Sequence, residues 1–281
     1  MGDDNGGWQP SGDKTKINSY ICPMRVIIIG SGNVATHFAL ASAQTAGVEL
    51  VGVWARNGES GRALAERCGV EYLSDPTLPK ADLYIISVSD RAVASLSASL
   101  IFPEGAVVAH TAGSIAVEEL SESITHRAVV YPLQTFSKGR MLDFSKVPLF
   151  IEGATERAEQ VATEYAEMMS RNVRLADSSV RRRLHLAGVF VCNFVNRMYG
   201  IGAEVVGEEV GFDLLKPLIE ETALKALATE NPASVQTGPA VRGDREVWER
   251  HKALLTAEGK DSAATIYEQI SNDIWQTSKK N

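Results

Sequence analysis

The chain has 281 residues, 44% of them hydrophobic and 22% charged, which is enough apolar material for one large domain or two medium ones. Its formal net charge of −7 excludes a generally basic nucleic-acid-binding surface but leaves room for a local basic pocket. Three cysteines without CxxC spacing argue against a disulfide framework or a structural metal site, and no apolar run reaches the ~18 residues of a membrane span. Residues 1–23 are polar and lack the apolar segment of a secretory signal. They read as a disordered leader, or as residues upstream of a start at Met24, and the protein as cytoplasmic.

From Arg25 to Gly30 the chain is β-branched and ends in glycine, the pattern of a buried strand. Gly30-Ser31-Gly32-Asn33-Val34-Ala35 follows, then a helical stretch to Ala46 and a second strand over Leu50–Ala55. This is a βαβ unit with a GxGxxA turn. Gly30 makes the turn, Gly32 lets a pyrophosphate reach the backbone, and Ala35 lets helix and strand pack closely. The free N–H groups of the helix N-terminus then meet the phosphate oxygens. The flanks make this a dinucleotide-binding turn rather than a stray glycine pair.

The end of the second strand selects the cofactor. An NAD enzyme carries Asp or Glu there. This strand ends Trp54-Ala55-Arg56-Asn57, with no acid. Arg56 can hold a 2′-phosphate through charge-assisted hydrogen bonds, and Asn57 and Ser60 can add neutral donors. NADP is therefore expected in preference to NAD.

Alternating helices and strands continue: a helix over 59–68, a strand over 82–88 entering the loop Ser89-Asp90-Arg91, and a helix over 91–101. Strands follow over 105–110 and 128–131. A last βα unit covers a strand at 148–153, a helix at 156–170 and a strand at 172–175. Ser87, Val88 and Ser89 sit at a strand end that faces the cofactor. Loops at the carboxyl ends of parallel strands bind ligands, so His110, Thr111, Ser114, Tyr131, Gln134 and Thr135 become candidates for the nicotinamide and substrate site. The expected class is an α/β fold, with a Rossmann parallel sheet over 24–176.

Asp177-Ser178-Ser179 is a helix-start signal, and strand-like runs disappear after it. An all-α domain over 177–281 is expected, for substrate and dimerisation. Its first helix, Ser179–Val210, would be more than about 40 Å long. Arg181, Arg182 and Arg183 oppose the dipole in its first turn, which suggests exposed side chains or an anionic ligand. His185, Asn193 and Asn196 fall near one side of such a helix. Pro217 suits the first turn of the next helix, and Glu221 and Lys225 form a surface i,i+4 pair. Thr237-Gly238-Pro239-Ala240-Val241-Arg242-Gly243-Asp244 reads as a specific loop, in which Arg242 pairs with Asp244 or faces substrate. His251 follows, and Tyr267 and Trp275 read as packing residues.

These motifs together resemble the family that joins a Rossmann-like domain to a helical domain of unknown function, DUF2520. The residues that carry the resemblance are GSGNVA at 30–35, His110-Thr111-Ala112-Gly113, and YPLQTF at 131–136. His185 with Asn193, Pro217-Leu218 and TGPAVRGD at 237–244 complete it. Some relatives carry histidine where this chain has Tyr131, so a role resting on a histidine there fails here. The wider similarity is to pyrroline-5-carboxylate reductase and the β-hydroxyacid dehydrogenases. It implies an NAD(P)-dependent oxidoreductase that dimerises through its helices. A true pyrroline-5-carboxylate reductase is disfavoured, because that family's C-terminal motif differs from TGPAVRGD.

The expected reaction is hydride transfer to or from a small carbonyl, hydroxy or imino acid in an interdomain cleft. His185 and then His110 are the expected acids, Asn193 orients the substrate, and Arg242 binds a carboxylate, with Tyr131, Gln134 and Thr135 beside them. No metal, nucleic-acid or membrane partner is expected. The alternative is a dinucleotide-binding regulatory module without turnover, since the catalytic lysine of many β-hydroxyacid dehydrogenases is not evident.

Overall fold

A computed structural model describes residues 22–279. The leader expected over 1–23 lies, but for Cys22 and Pro23, outside them. The described residues form two compact units, one ending at Val189 and the other starting at Phe190.

The first unit is an eight-stranded sheet in the order β3-β2-β1-β4-β5-β6-β7-β8. Its strands are β1 Met24–Ile29, β2 Val48–Trp54, β3 Glu71–Leu73, β4 Leu83–Ile86, β5 Val107–His110, β6 His126–Pro132, β7 Leu149–Gly153 and β8 Val173–Leu175. Both faces are buried, which explains the unbroken β-branched run of β1. Val26 and Ile28 pack on one face with Phe38, Leu83 and Leu149. Ile27 and Ile29 pack on the other with Tyr84, Ile86 and Val93. That alternation is the period of two expected of a strand.

Helices α1 Asn33–Gln44, α2 Gly58–Cys68 and α4 Glu156–Met169 supply the first face, and α3 Asp90–Ser99 the second. The chain leaves β1 toward β2 on one side and returns to β4 on the other. Between β1 and β4 the sheet therefore has its switch point, where an open α/β sheet makes a crevice. The one departure from a parallel sheet is β7, antiparallel to β6 from Ala128↔Gly153 to Pro132↔Leu149. Residues 133–148 hold only a 3-10 turn, Phe144–Lys146. No crossover helix carries the chain back to a parallel start.

Helix α5, Ser178–Gly188, closes this unit. The composition changes near Ala176, yet the compact unit runs on to Val189. Val180 and Leu184 of α5 pack against Val129, Tyr131 and Phe150 of the sheet. The Asp177 side chain caps α5 by accepting from the Val180 N–H at 2.8 Å.

The second unit is helical: α6 Val195–Val210, α7 Lys216–Leu227, α8 Pro239–Arg242, α9 Arg245–Ala257 and α10 Asp261–Ser278. The single helix expected over 179–210 is interrupted by a π-helical turn at Val189–Phe194. Gly207 breaks it again, with φ 72° and ψ 170°. A π turn closes i→i+5 and changes the angle per residue, so the α-helical count that put His185, Asn193 and Asn196 on one side does not hold.

The TGPAVRGD motif is a helix–turn–helix junction. Gly238 takes φ 110°, Pro239 starts α8, and Gly243 ends it in the left-handed conformation. Asp244 caps α9 by accepting from the Val247 N–H at 3.2 Å, which replaces the expected Arg242–Asp244 pair. A Cβ on Gly243 would stand 2.6 Å from the Trp275 ring, so Trp275 packs as read. Arg242 is exposed. Lys225 and Glu221 form the surface pair at 3.5 Å. Among the described residues, no helix is long and apolar enough to cross a membrane.

Candidate functional site

A cleft of about 880 Å³ opens in the first unit at the switch point. Its floor begins where β1 stops. Gly30 has φ +132°, and a Cβ there would lie 2.2 Å from the Ser87 carbonyl oxygen, so only glycine fits this turn. Gly32 is the N-cap of α1 and carries no side-chain cap; the first turn holds no acid. A Cβ on Gly32 would meet nothing within 4 Å. The result is a helix N-terminus with free N–H groups and open space above it. That arrangement fits a dinucleotide pyrophosphate.

Of the residues expected to hold the cofactor, Gly30, Ser31, Gly32, Asn33 and Val34, then Arg56 and Asn57, then Ser87, Val88 and Ser89 line this one cleft, and Ser60 does not. Arg56 is exposed just past β2 and makes no ion pair among the described residues. Asn57 has a second duty. Its Oδ1 caps α2 by accepting from the Ser60 N–H at 3.0 Å, while the Ser60 and Ser31 hydroxyls meet at 2.7 Å. These contacts tie the glycine turn to the start of α2.

Tyr131, Gln134 and His185 line the other end, with Thr111, Ala112 and Gly113. Tyr131 is the last residue but one of β6 and is 7% exposed. Its hydroxyl lies 3.3 Å from Nδ1 of His185, which α5 presents exposed to the cleft. Burial pushes the Tyr131 phenol above its ordinary value; the Arg181 charge pulls it down and Asp90 pushes it up. Gly113 makes room for the ring, since a Cβ there would be 2.6 Å from it. The Gln134 side-chain Oε1 accepts from the Thr135 N–H at 2.8 Å. Thr135 itself is exposed and is not a lining residue. Asn33 donates to the Phe136 carbonyl at 3.0 Å and His37 to that of Ser137 at 3.0 Å, which fastens the loop after β6 onto α1.

His110 does not reach the cleft with a free nitrogen. It is wholly buried. The Ala112 N–H donates to its Nδ1 at 3.1 Å, and its Nε2–H donates to the Ala116 carbonyl at 3.1 Å. Burial lowers its pKa to about 4. The expectation that it delivers a proton is corrected accordingly: it is a neutral strut for the loop after β5. Asn193, in the π turn, and Arg242, in α8, belong to the second unit and are exposed there.

Three features escaped the sequence reading. Arg181, expected either to be exposed or to meet an anionic ligand, is fully buried. It pairs with Glu152 of β7 and donates to the carbonyls of Ile115 at 2.9 Å and Ala176 at 3.2 Å. A signal existed: Arg181 precedes Leu184, which packs on the sheet, by three residues and so neighbours it on the helix surface. Asp90, read only as a loop residue, lines the cleft and accepts from the Ser114 hydroxyl. The Tyr131–His185 contact joins residues 54 apart and had no local signal.

Two family models match the chain. One, described as an oxidoreductase family with an NAD-binding Rossmann fold, covers residues 24–109. The other, the domain of unknown function DUF2520, covers 147–274. Among solved structures, a candidate NADP oxidoreductase from Bacteroides fragilis is 38% identical, with a TM-score of 0.83 over 90% of this chain and 98% of that one. A protein from Thermotoga maritima is 19% identical, with a TM-score of 0.74 over 90% and 99%. The 1-pyrroline-5-carboxylate reductase of Streptococcus pyogenes shares the fold at 12% identity, with a TM-score of 0.59 over 93% and 100%. A search of curated protein sequences finds no significant match.

Proposed function

This chain belongs to the family that joins an NAD-binding Rossmann domain to the DUF2520 domain, and from that premise we propose an NADP-dependent reductase or dehydrogenase of a small carbonyl, hydroxy or imino acid. The observation that carries the proposal is the one cleft that gathers an open helix N-terminus, an exposed Arg56 with no ion pair among the described residues, and the Tyr131–His185 pair. A bound nicotinamide would supply or accept the hydride. The protein's own residues supply the rest. Backbone N–H groups from Ser31 to Val34 would hold the pyrophosphate. Arg56, with the start of α2, would hold the 2′-phosphate. Thr111 and Gln134 would border the substrate, and His185 would be the source of the proton. The proposed site uses the first unit alone and does not draw on Asn193 or Arg242.

The protein is further proposed to work in the cytoplasm, where Cys22, Cys68 and Cys192, all free, stay reduced. It is proposed to act as a homodimer through its helical unit. The test is calorimetric titration with NADPH and NADH. Tighter binding of NADPH is expected. Arg56→Ala should weaken NADPH by about 10- to 100-fold, the worth of a charged hydrogen bond, and leave NADH within about twofold. Equal affinities in the wild type would defeat the NADP assignment.

A further inference from the structure

Resting on the reading of the cleft as a hydride-transfer site, we propose that the Tyr131 hydroxyl is the last proton donor to the substrate and that His185 recharges it from solvent. Few groups at that end of the cleft carry a proton that is free to move. His110 has both nitrogens bound to backbone. The Thr111 hydroxyl donates to Ser87 at 3.2 Å, and that of Ser114 to Asp90. Aliphatic hydroxyls in any case part with a proton far less readily than a phenol. Tyr131 and His185 are what is left.

Their placement suits a relay. Tyr131 stands near a strand end, with Gly113 close against its ring and Phe150 beside it at a ring-centroid distance of 6.3 Å. A buried, rigidly seated hydroxyl can be aimed. His185 is exposed and turns Nδ1 to that hydroxyl at 3.3 Å. Among the described residues its Nε2 has no hydrogen-bond partner, so that nitrogen is available to water. The pair therefore links a dry donor to a wet source.

The charges around it are few. Arg181 lies one turn before His185 on α5, paired with Glu152 of β7. Asp90 stands at the start of α3, and His110, on β5, stays neutral. Glu118, in the 3-10 turn 117–119, acts on Arg181. Arg181 favours a transient phenolate on Tyr131; burial and Asp90 oppose it.

In the reductive direction the substrate carbon gains a hydride from the reduced nicotinamide dinucleotide. The substrate oxygen or nitrogen gains the Tyr131 proton as the phenolic O–H bond breaks. The phenolate takes the Nδ1 proton of the neutral His185 ring as Nε2 takes one from water, so the ring changes tautomer with no net gain or loss of protons, and exchange with water restores the Nδ1–H form. The oxidative direction runs the same transfers backwards.

The test uses full-length protein labelled with ¹⁵N-histidine, with His185 assigned by comparison with His185→Gln. Long-range ¹H–¹⁵N spectra of the wild type and Tyr131→Phe are recorded across neutral pH. In parallel, NADPH oxidation is followed with 2-keto acids and cyclic imino acids. Tyr131→Phe should displace the His185 Nδ1 resonance, change its neutral tautomer, and cut turnover by about 100-fold or more, with NADPH affinity held within about twofold. Turnover of His185→Gln should recover partly on adding imidazole, whereas that of Tyr131→Phe should not. An unmoved His185 spectrum, or turnover kept by Tyr131→Phe and lost only in His185→Gln, overturns the relay alone. Absence of NADPH binding by the wild type overturns the proposed function and the donor role with it.

Discussion

Both ring nitrogens of His110 are committed to backbone groups of the 110–116 loop, one as acceptor and one as donor. Adding a proton would break the acceptor bond and leave a charge in a fully buried site. The folded chain therefore keeps His110 neutral down to about pH 4, whereas an exposed imidazole takes its proton near 6.5. The folded pKa lies below the unfolded one, so between those values the unfolded chain binds more protons and stability rises with pH. The contribution is complete above about pH 6.5 and is lost as the pH falls toward 4; at pH 5 about 2 kcal/mol has gone. His110→Asn should start less stable at pH 7 but lose about 2 kcal/mol less than the wild type between pH 7 and pH 5. Denaturant titrations at both pH values measure this. Equal losses would mean that His110 does not stay neutral in the fold. A histidine at a strand end reads the same in sequence whether it faces a cleft or a backbone loop. What separates His110 from His185 is the tertiary supply of partners, and no local pattern carries that.

Helix α1 begins on Gly32, where most helices carry a capping side chain. An aspartate there would be the better choice for stability, by roughly a few tenths of a kcal/mol over glycine. Nothing within 4 Å obstructs its Cβ. The absence of such a residue makes sense if the free N–H groups are reserved for an anion. Gly32→Asp should then hold or raise the melting temperature while weakening NADPH by about two orders of magnitude, since a carboxylate would stand where the pyrophosphate must. Thermal melts with and without nucleotide separate the two effects; unchanged NADPH affinity would remove the pyrophosphate from α1. This turn was fully legible in sequence, because the GxGxxA spacing and its strand and helix flanks lie within a few residues of one another. So were the strands β1, β2 and β4 to β7, whose apolar runs are buried on both faces. The antiparallel return of β7 was not, because strand direction depends on what fills 133–148 rather than on β7 itself. Nor was the π turn at 189–194, where apolar residues suit either helix. Arg181 falls between these cases: its spacing from Leu184 placed it next to the packed face, but only its pairing with Glu152 shows why a buried cation is tolerated there.

The helical unit taken by itself has little interior. Its buried apolar residues are Ala240, Trp248, Leu255, Ala263 and Ala264. Helix α7 buries none of its residues, and Leu218, Leu224 and Leu227 on it are 65%, 55% and 83% exposed. Leu214 just before it is 70% exposed. A groove of about 570 Å³ among α6, α9 and α10, bordered by Val205, Leu254 and Ile270, adds to this apolar surface. Monomers rarely expose apolar area on this scale, and large patches mark interaction surfaces. A second copy of the chain is the simplest occupant, since a twofold interface needs only a patch that complements itself. Sedimentation equilibrium from about 1 to 100 μM should give the mass of two chains. Leu218→Asp with Leu227→Asp should shift that to one chain, because burying two carboxylates among leucines costs several kcal/mol in association. The same variant should melt at a lower temperature, as loss of the partner removes burial that the unit cannot supply internally. NADPH binding should stay within about twofold, because the nucleotide residues all lie before Val189. A wild type that sediments as one chain throughout would refute the dimer and leave the exposed leucines of α7 facing a different partner.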